Sequence, residues 1–178
     1  MADWGRFARR IRIPLGFAFA VLYFWLARPA WISIGGGAAI VAAGLGLRAW
    51  ASGHVSKAAE ITQSGPYAYT RNPLYLGSII VGIGFAVAAL SPWIAVAMAV
   101  TFMVIYVPVI GWEERWLRAN LQGFEEYAAR VPRLIPRMTP AGAPGSFSRA
   151  RYMKHREYNA LLGAIAAIVA LILKLQFF

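Results

Sequence analysis

Apolar residues run along this chain in five long blocks, at about residues 11–27, 30–50, 74–90, 93–112 and 158–178. Each block holds roughly 17–21 residues, enough for a helix to cross a ~30 Å hydrocarbon core. Arg28–Pro29 and Ser91–Pro92 are tight links, so the first two blocks form one helical hairpin and the next two another. The pattern predicts an all-α fold: one polytopic integral membrane domain over residues 1–178, with about five transmembrane helices. Polar positions collect in two long loops, 51–73 and 113–157.

Composition agrees with that picture. The chain is 60% hydrophobic and only 14% charged, against ~25% charged in a soluble domain. Its net charge of +11 raises nucleic acid as a partner, but the charges lie between apolar runs rather than on one soluble face. Anionic lipid headgroups fit that distribution, and no nucleic-acid partner is expected. Sixteen of the eighteen basic residues fall before the first span or in the two long loops, leaving Arg28 and Lys174 on the other side. The positive-inside rule then places the N-terminus and both loops in the cytoplasm, with the protein integral to the inner membrane. The first block has no small-residue cleavage site and runs into Arg28–Pro29, so it is expected to be a retained span. There is no cysteine, which removes disulfides and thiolate chemistry. His54 and His155 stand alone, and no metal site is expected.

Small residues crowd the second block (Gly35, Gly36, Gly37, Gly44, Gly46) and the third (Gly77, Ser78, Gly82, Gly84). Such faces let helix backbones approach closely in lipid. Trp25, Trp31, Trp50, Trp93 and Trp112 near the block ends read as interfacial anchors.

The loops carry the candidate chemistry, and five of the seven acidic residues lie within residues 51–73 and 113–137. In "GPYAYTRNPLYLG", residues 65–77, Gly65–Pro66 makes a turn. Asn72–Pro73 starts a helix, with Asn72 as N-cap and Pro73 at the first helical position. Free backbone N–H groups there suit a carboxylate, and Arg71 adds a fixed charge. An ordinary capped span with a snorkelling arginine fits the same residues. Glu113 and Glu114 follow the fourth block; adjacent helical positions point about 100° apart, so at most one faces a given pocket. They fit either hydrogen-bond acceptors for ribose hydroxyls or an amino group, or the i,i+4 partners of nearby arginines. Gly123–Tyr127 reads as a short amphipathic helix ending at Val131–Pro132. Phe124, Tyr127 and Leu134 are expected in the membrane interface, with Arg130, Arg133 and Arg137 on phosphates.

The order Gly-Pro-Tyr-x-Tyr-x-Arg-x-Pro-x-Tyr-x-Gly, then an apolar hairpin, Glu-Glu, Gly-Phe-x-x-Tyr and Val-Pro-Arg-x-x-Pro, resembles the isoprenylcysteine carboxyl methyltransferase family and its relatives, the phospholipid N-methyltransferases. The resemblance covers about residues 45–137. It implies a membrane enzyme using S-adenosylmethionine, with the two loops forming the cofactor pocket and the C-terminal cytoplasmic segment closing over it. By this match Gly65, Tyr67, Arg71, Asn72, Tyr75 and Leu76 would surround the methionine end of the cofactor. Glu113 or Glu114 would bind its amino or hydroxyl groups, Lys57 matches a further basic position, and Arg71 and Glu114 would serve the reaction. The family usually has Arg-His-Pro where this chain has Asn72, a neutral donor and acceptor that cannot be protonated. Ahead of the glutamates the eukaryotic prenylcysteine enzymes carry basic residues; here the stretch is "VPVIGW".

The implied reaction is methyl transfer to a lipid or a prenylated, lipid-like acceptor, carboxylate or amine, with membrane lipids as partners and access from between the spans. A carboxylate acceptor needs only an orienting cation such as Arg71; an amine must lose a proton, for which a glutamate or Tyr67 is the candidate. The rival reading is a non-catalytic membrane subunit that keeps the fold. A coupled transporter fits poorly, because no block carries an ionisable residue near its centre.

Overall fold

The computed structural model describes residues 19–55, 60–142 and 145–177, and these contain helices and no strand. The described part of the first apolar block, residues 19–26, is helix α1; residues 11–18 of that block lie outside the described set. Then come α2 (Trp31–Ser52), a single 3-10 turn (Gly65–Ala68), α3 (Pro73–Ala89), α4 (Pro92–Thr101), a π turn (Phe102–Tyr106) and α5 (Val107–Asn120). Short α6 (Phe124–Arg130) and α7 (Arg149–His155) precede α8 (Tyr158–Phe177). Trp31–Ser52, Pro92–Asn120 and Tyr158–Phe177 are long and apolar enough to cross a membrane, and Pro73–Ala89 is a shorter apolar helix. The protein is all-α and polytopic.

Glycine sets the spacing of the central pair. A Cβ built on Gly37 would lie 2.5 Å from the Gly84 carbonyl oxygen, and one on Gly44 would lie 2.8 Å from that of Gly77. No side chain fits at these crossings, so α2 and α3 pack backbone on backbone. In lipid, where apolar burial drives little helix association, this dispersion contact is a main source of stability.

One end of the bundle is stitched by backbone. Arg28 N–H donates to the Ala89 carbonyl at 2.8 Å, and Ser33 Oγ donates to Ala88 at 3.2 Å. Lys174 Nζ donates to the carbonyls of Phe24 and Ala27, satisfying orphan acceptors at the end of α1. Tyr23, Ile34, Ile94 and Leu171 form the apolar core there. The two basic residues set apart by the charge pattern, Arg28 and Lys174, meet at this end.

The α4–α5 helix is continuous but not regular. Pro108 removes one N–H and its ring opposes the carbonyl four residues back. The preceding turn widens in response: Val107 N–H bonds the Phe102 carbonyl, five residues back. Past this turn the helix runs on to Asn120. Glu113 and Glu114 are therefore helical residues at the far, basic end rather than the start of a loop.

Candidate functional site

Three segments converge at the basic end. The Gly65–Ala68 turn is possible because Gly65 has φ of +58°, and a Cβ there would meet the His54 ring at 2.7 Å. The chain then lies against the stretch after α6. Arg71 N–H donates to the Pro132 carbonyl at 2.9 Å, Arg137 N–H to Tyr69 at 3.0 Å, and Ala141 N–H to Ala68 at 2.9 Å. Thr70 Oγ1 lies 3.2 Å from the Arg133 carbonyl and 3.1 Å from that of Leu134.

Glu114 is the hub. It is buried, at 3% exposure, and Oε1 accepts from Arg71 Nε at 3.1 Å and from Asn72 Nδ2 at 3.3 Å. Oε2 accepts from Arg133 Nε at 2.9 Å and Nη2 at 2.6 Å. Arg71 Nη1 also donates to the carbonyls of Ala128, at 2.7 Å, and Val131, at 3.0 Å. Asn72 Nδ2 reaches the Arg133 carbonyl at 2.9 Å. Ion pairs and hydrogen bonds thus satisfy this buried carboxylate on both oxygens, the condition under which a buried charge is tolerated. The carboxylate in turn raises the pKa of Arg133 by accepting its hydrogen bonds.

Several expectations are corrected here. Asn72 occupies the N-cap position of α3, but its side chain makes no cap bond; it spans to Glu114 and Arg133 instead. Glu114 pairs with Arg71 and Arg133 across the chain, while the arginine four residues on, Arg118, pairs with Glu125. Phe124 and Tyr127 are not in the membrane interface: both are buried, in a small core with Val131 beside Ile61 and Leu117. Arg133 is held by Glu114, and Arg137 Nη1 donates to the Arg130 carbonyl at 2.7 Å. Arg48, counted with the loop, is in α2 and forms a two-pronged pair with Glu157, its Nη2 2.8 Å from Oε2. Sequence reasoning did not find Arg133 as a partner of Glu114 or Glu157 as a partner of Arg48; each pairing is long-range and no local spacing signals it.

Beside this hub lies a hollow of about 470 Å³, within the roughly 300–1,000 Å³ of small-molecule sites. Tyr67, Arg71, Asn72, Tyr75 and Glu113 line it, with Glu60 and the indoles of Trp112 and Trp116. Tyr75 donates its hydroxyl to Glu113 Oε2 at 2.8 Å. Glu113 faces the hollow and Glu114 faces the hub, as neighbouring helical positions must diverge. Gly65 shapes the turn behind, and Leu76 sits half-buried in the first turns of α3, bonded through its N–H to the Asn72 carbonyl. Lys57 lies outside the described residues. Burial pushes the Tyr67 and Tyr127 phenols up, and Tyr127 donates to the Tyr67 carbonyl at 2.8 Å. Both hydroxyls stay protonated near neutrality.

The electrostatics of the hollow run against those of the chain. Arg71 is neutralised by Glu114, whereas Glu60 and Glu113 present carboxylates among aromatic faces. That set of acceptors and aromatic faces suits a ligand bearing positive charge and hydroxyl or amino groups. Among the described residues no group of three or more His, Cys, Asp or Glu could hold a metal ion.

A family model described as phospholipid methyltransferase matches residues 12–122, a stretch that includes the 65–73 turn, Glu113 and Glu114 and stops short of Arg133. The chain is also similar to the nickel-cobalt-cadmium resistance protein NccN of Alcaligenes xylosoxydans xylosoxydans and the cobalt-zinc-cadmium resistance protein CzcN of Cupriavidus metallidurans, each 32% identical over 94 residues. The matched region is 52% of this chain and 44% of each relative, so the chain spans less than half the length of these curated relatives. No solved structure matches. With the family model covering well over half of its length, the chain belongs to the phospholipid methyltransferase family.

Proposed function

We propose that the protein is an S-adenosylmethionine-dependent methyltransferase of the inner membrane, acting at its cytoplasmic face on a lipid or lipid-like acceptor. The observation that carries this reading is the acidic, aromatic hollow in a chain of net charge +11. The cofactor's sulfonium and ammonium are cationic and its ribose offers hydroxyls, which suits Glu60, Glu113 and the surrounding rings. When bound, the cofactor supplies an already activated methyl group.

In this reading each residue has a distinct task. Glu113, steadied by Tyr75, accepts hydrogen bonds from the cofactor's amino or hydroxyl groups. Glu114 positions Arg71 and Asn72 and so holds the turn that forms one wall; it acts through them. Arg71 lines the hollow and would meet an anionic acceptor as part of its ion pair with Glu114 rather than as a free charge. Proximity then does most of the work, and effective molarity can supply roughly 7–11 kcal/mol. Asn72 leaves no imidazole at that position, so proton transfer from an amine acceptor would fall to Glu113 or Glu60 or to water.

The test is incubation of the full chain, in vesicles of the host's total lipid, with methyl-labelled S-adenosylmethionine, followed by mass spectrometry of the lipid extract. A labelled lipid species that is absent without protein is the expected result. Bound cofactor with no labelled lipid or lipid-like product would favour the non-catalytic subunit.

A further inference from the structure

Helix α8 is fastened near its two ends and stands off α2 between them. At its start Glu157 takes the Arg48 guanidinium on both oxygens, with Nη2 3.0 Å from Oε1 and 2.8 Å from Oε2. Arg48 Nη1 also donates to Ser78 Oγ and the Leu74 carbonyl of α3. Toward the other end Leu171 is buried in the core, and Lys174 Nζ donates to the Ala27 carbonyl at 2.8 Å. Between these fastenings a groove of about 460 Å³ lies between α2 and α8. Ala38, Ala42 and Gly46 form one wall and Leu161, Ile165 and Val169 the other, each row at four-residue spacing on one helix face. The α2 wall is too small to fill the gap: a Cβ built on Gly46 would meet nothing within 4 Å. From Ala38 to Ala49 the groove follows about 16 Å of helix, close to the ~15 Å depth of one leaflet's hydrocarbon.

The groove ends beneath a basic elbow. Tyr152 of α7 and Glu157 of the α7–α8 junction close its polar end. Helix α7 is pinned to the end of α2: Ser148 N–H donates to the Gly53 carbonyl at 2.9 Å, and Arg151 Nη1 to that of His54 at 3.1 Å. Helical spacing sets Arg149 on the side of α7 that Tyr152 takes. Arg156 forms the elbow itself, next to Glu157, with φ of +53°. Arg149 and Arg156 are both exposed, and among the described residues neither guanidinium has a hydrogen bond or ion pair. The Glu157 carboxylate at this mouth is already neutralised by Arg48, so the mouth of an aliphatic slot carries uncompensated positive charge.

We propose that this face seats one resident anionic phospholipid, a structural ligand and not the methyl acceptor. One acyl chain lies along the α2–α8 groove, and the phosphate meets Arg149 and Arg156. The groove has no lining residue in common with the polar hollow, and the inference stands apart from the methyl-transfer reading. The chain fills a slot that neither helix fills and restores dispersion contacts along it. It thereby holds α8, and with it the Arg48–Glu157 pair, against α2. A second copy of this chain suits the face less well, because a parallel two-fold contact would set Arg149 and Arg156 against their own copies.

The test melts the full chain, delipidated in neutral detergent, with dioleoyl phosphatidylglycerol, with phosphatidylcholine of the same chains, and with glycerol phosphate. Saturation of one site should raise the midpoint by at least about 3 °C, and only phosphatidylglycerol should do so. Native mass spectrometry should find one such lipid retained per chain. Arg149→Gln combined with Arg156→Asn, the asparagine chosen to suit the left-handed elbow, should remove the preference for phosphatidylglycerol. Lys154→Gln, on the opposite side of α7 from Tyr152, should keep it. Gly46→Phe, which fills the slot, should lose the retained lipid without lowering the midpoint in detergent alone. Equal gains from the two phospholipids, a gain from glycerol phosphate alone, or a preference that survives loss of both arginines would overturn the proposal. So would a lipid-free dimer that Gly46→Phe dissociates.

Discussion

The Glu114 carboxylate receives the Arg71 guanidinium at 3.1 Å across 43 positions of sequence. This pair fastens the polar turn before α3 to the end of the α4–α5 helix, and Arg133 closes it from the third segment. Beside it Glu113, one position away, faces the hollow. Two adjacent glutamates therefore do different things, and mutation should separate them.

Glu114→Ala leaves Arg71 charged, half-buried and without its carboxylate partner. Breaking a buried pair in this way costs about 3–5 kcal/mol, so the variant should show a large fall in thermal midpoint in detergent, with ligand binding lost alongside. Glu113→Gln lies outside the hub and should shift stability by under about 0.5 kcal/mol. It should nonetheless weaken S-adenosylmethionine binding about tenfold to hundredfold, the worth of one charge-assisted hydrogen bond. Melting curves and calorimetry on both variants check the contrast; equal loss of stability in both would contradict it.

Asn72→Asp sets a second carboxylate beside Glu114 Oε1 and the Arg133 carbonyl, which now accept from the amide at 3.3 and 2.9 Å. The new carboxyl would have a folded pKa above its unfolded value near 3.9. Its neutral form is the one the fold accepts, so the penalty is absent below about pH 4 and grows as pH rises toward 7. The expected loss at pH 7 is about 1–3 kcal/mol. Thermal midpoints of variant and parent at pH 4 and pH 7 test the sign.

Gly44→Val introduces side-chain atoms where a Cβ alone would be 2.8 Å from the Gly77 carbonyl oxygen. Overpacking of about 1–3 kcal/mol, and a forced separation of α2 and α3, should follow. Gly35→Val on the open face, where nothing lies within 4 Å, should be nearly neutral. Resistance to denaturation in detergent, compared for the two, decides this.

Burial raises the Tyr67 and Tyr127 phenols above their ordinary value of 10.0. The folded state holds these protons more tightly than the unfolded chain, so their contribution is whole below about pH 10 and is lost as pH climbs beyond it. Thermal stability should fall between pH 10 and 11, and Tyr127→Phe should remove part of that fall. Unchanged melting through pH 11 would contradict the assignment.

Much of the fold could be read from the sequence, because long apolar blocks and glycine stripes are local signals. Gly37, Gly44, Gly77 and Gly84 already mark two faces that must meet in lipid. The π turn could not be read: one extra residue in a helical turn leaves an apolar run still apolar, and only Pro108 hints at it. The amphipathic pattern around Phe124 and Tyr127 predicted an apolar face correctly but not what covers it, since lipid and protein are equally apolar partners. At the site, Asn72–Pro73 and Glu113–Glu114 stood out as polar interruptions. Which glutamate turns inward depends on helical phase, and that phase is set by the π turn upstream.

The central claim is that the hollow beside Glu113 binds a sulfonium nucleotide. Isothermal calorimetry of the purified full chain in detergent, titrated with S-adenosylmethionine, tests it most directly. Saturable binding at one site per chain, weakened in Glu113→Gln with an unchanged melting curve, is the predicted result. A folded parent protein that releases no heat, or a Glu113→Gln variant that binds as tightly as the parent, would contradict it.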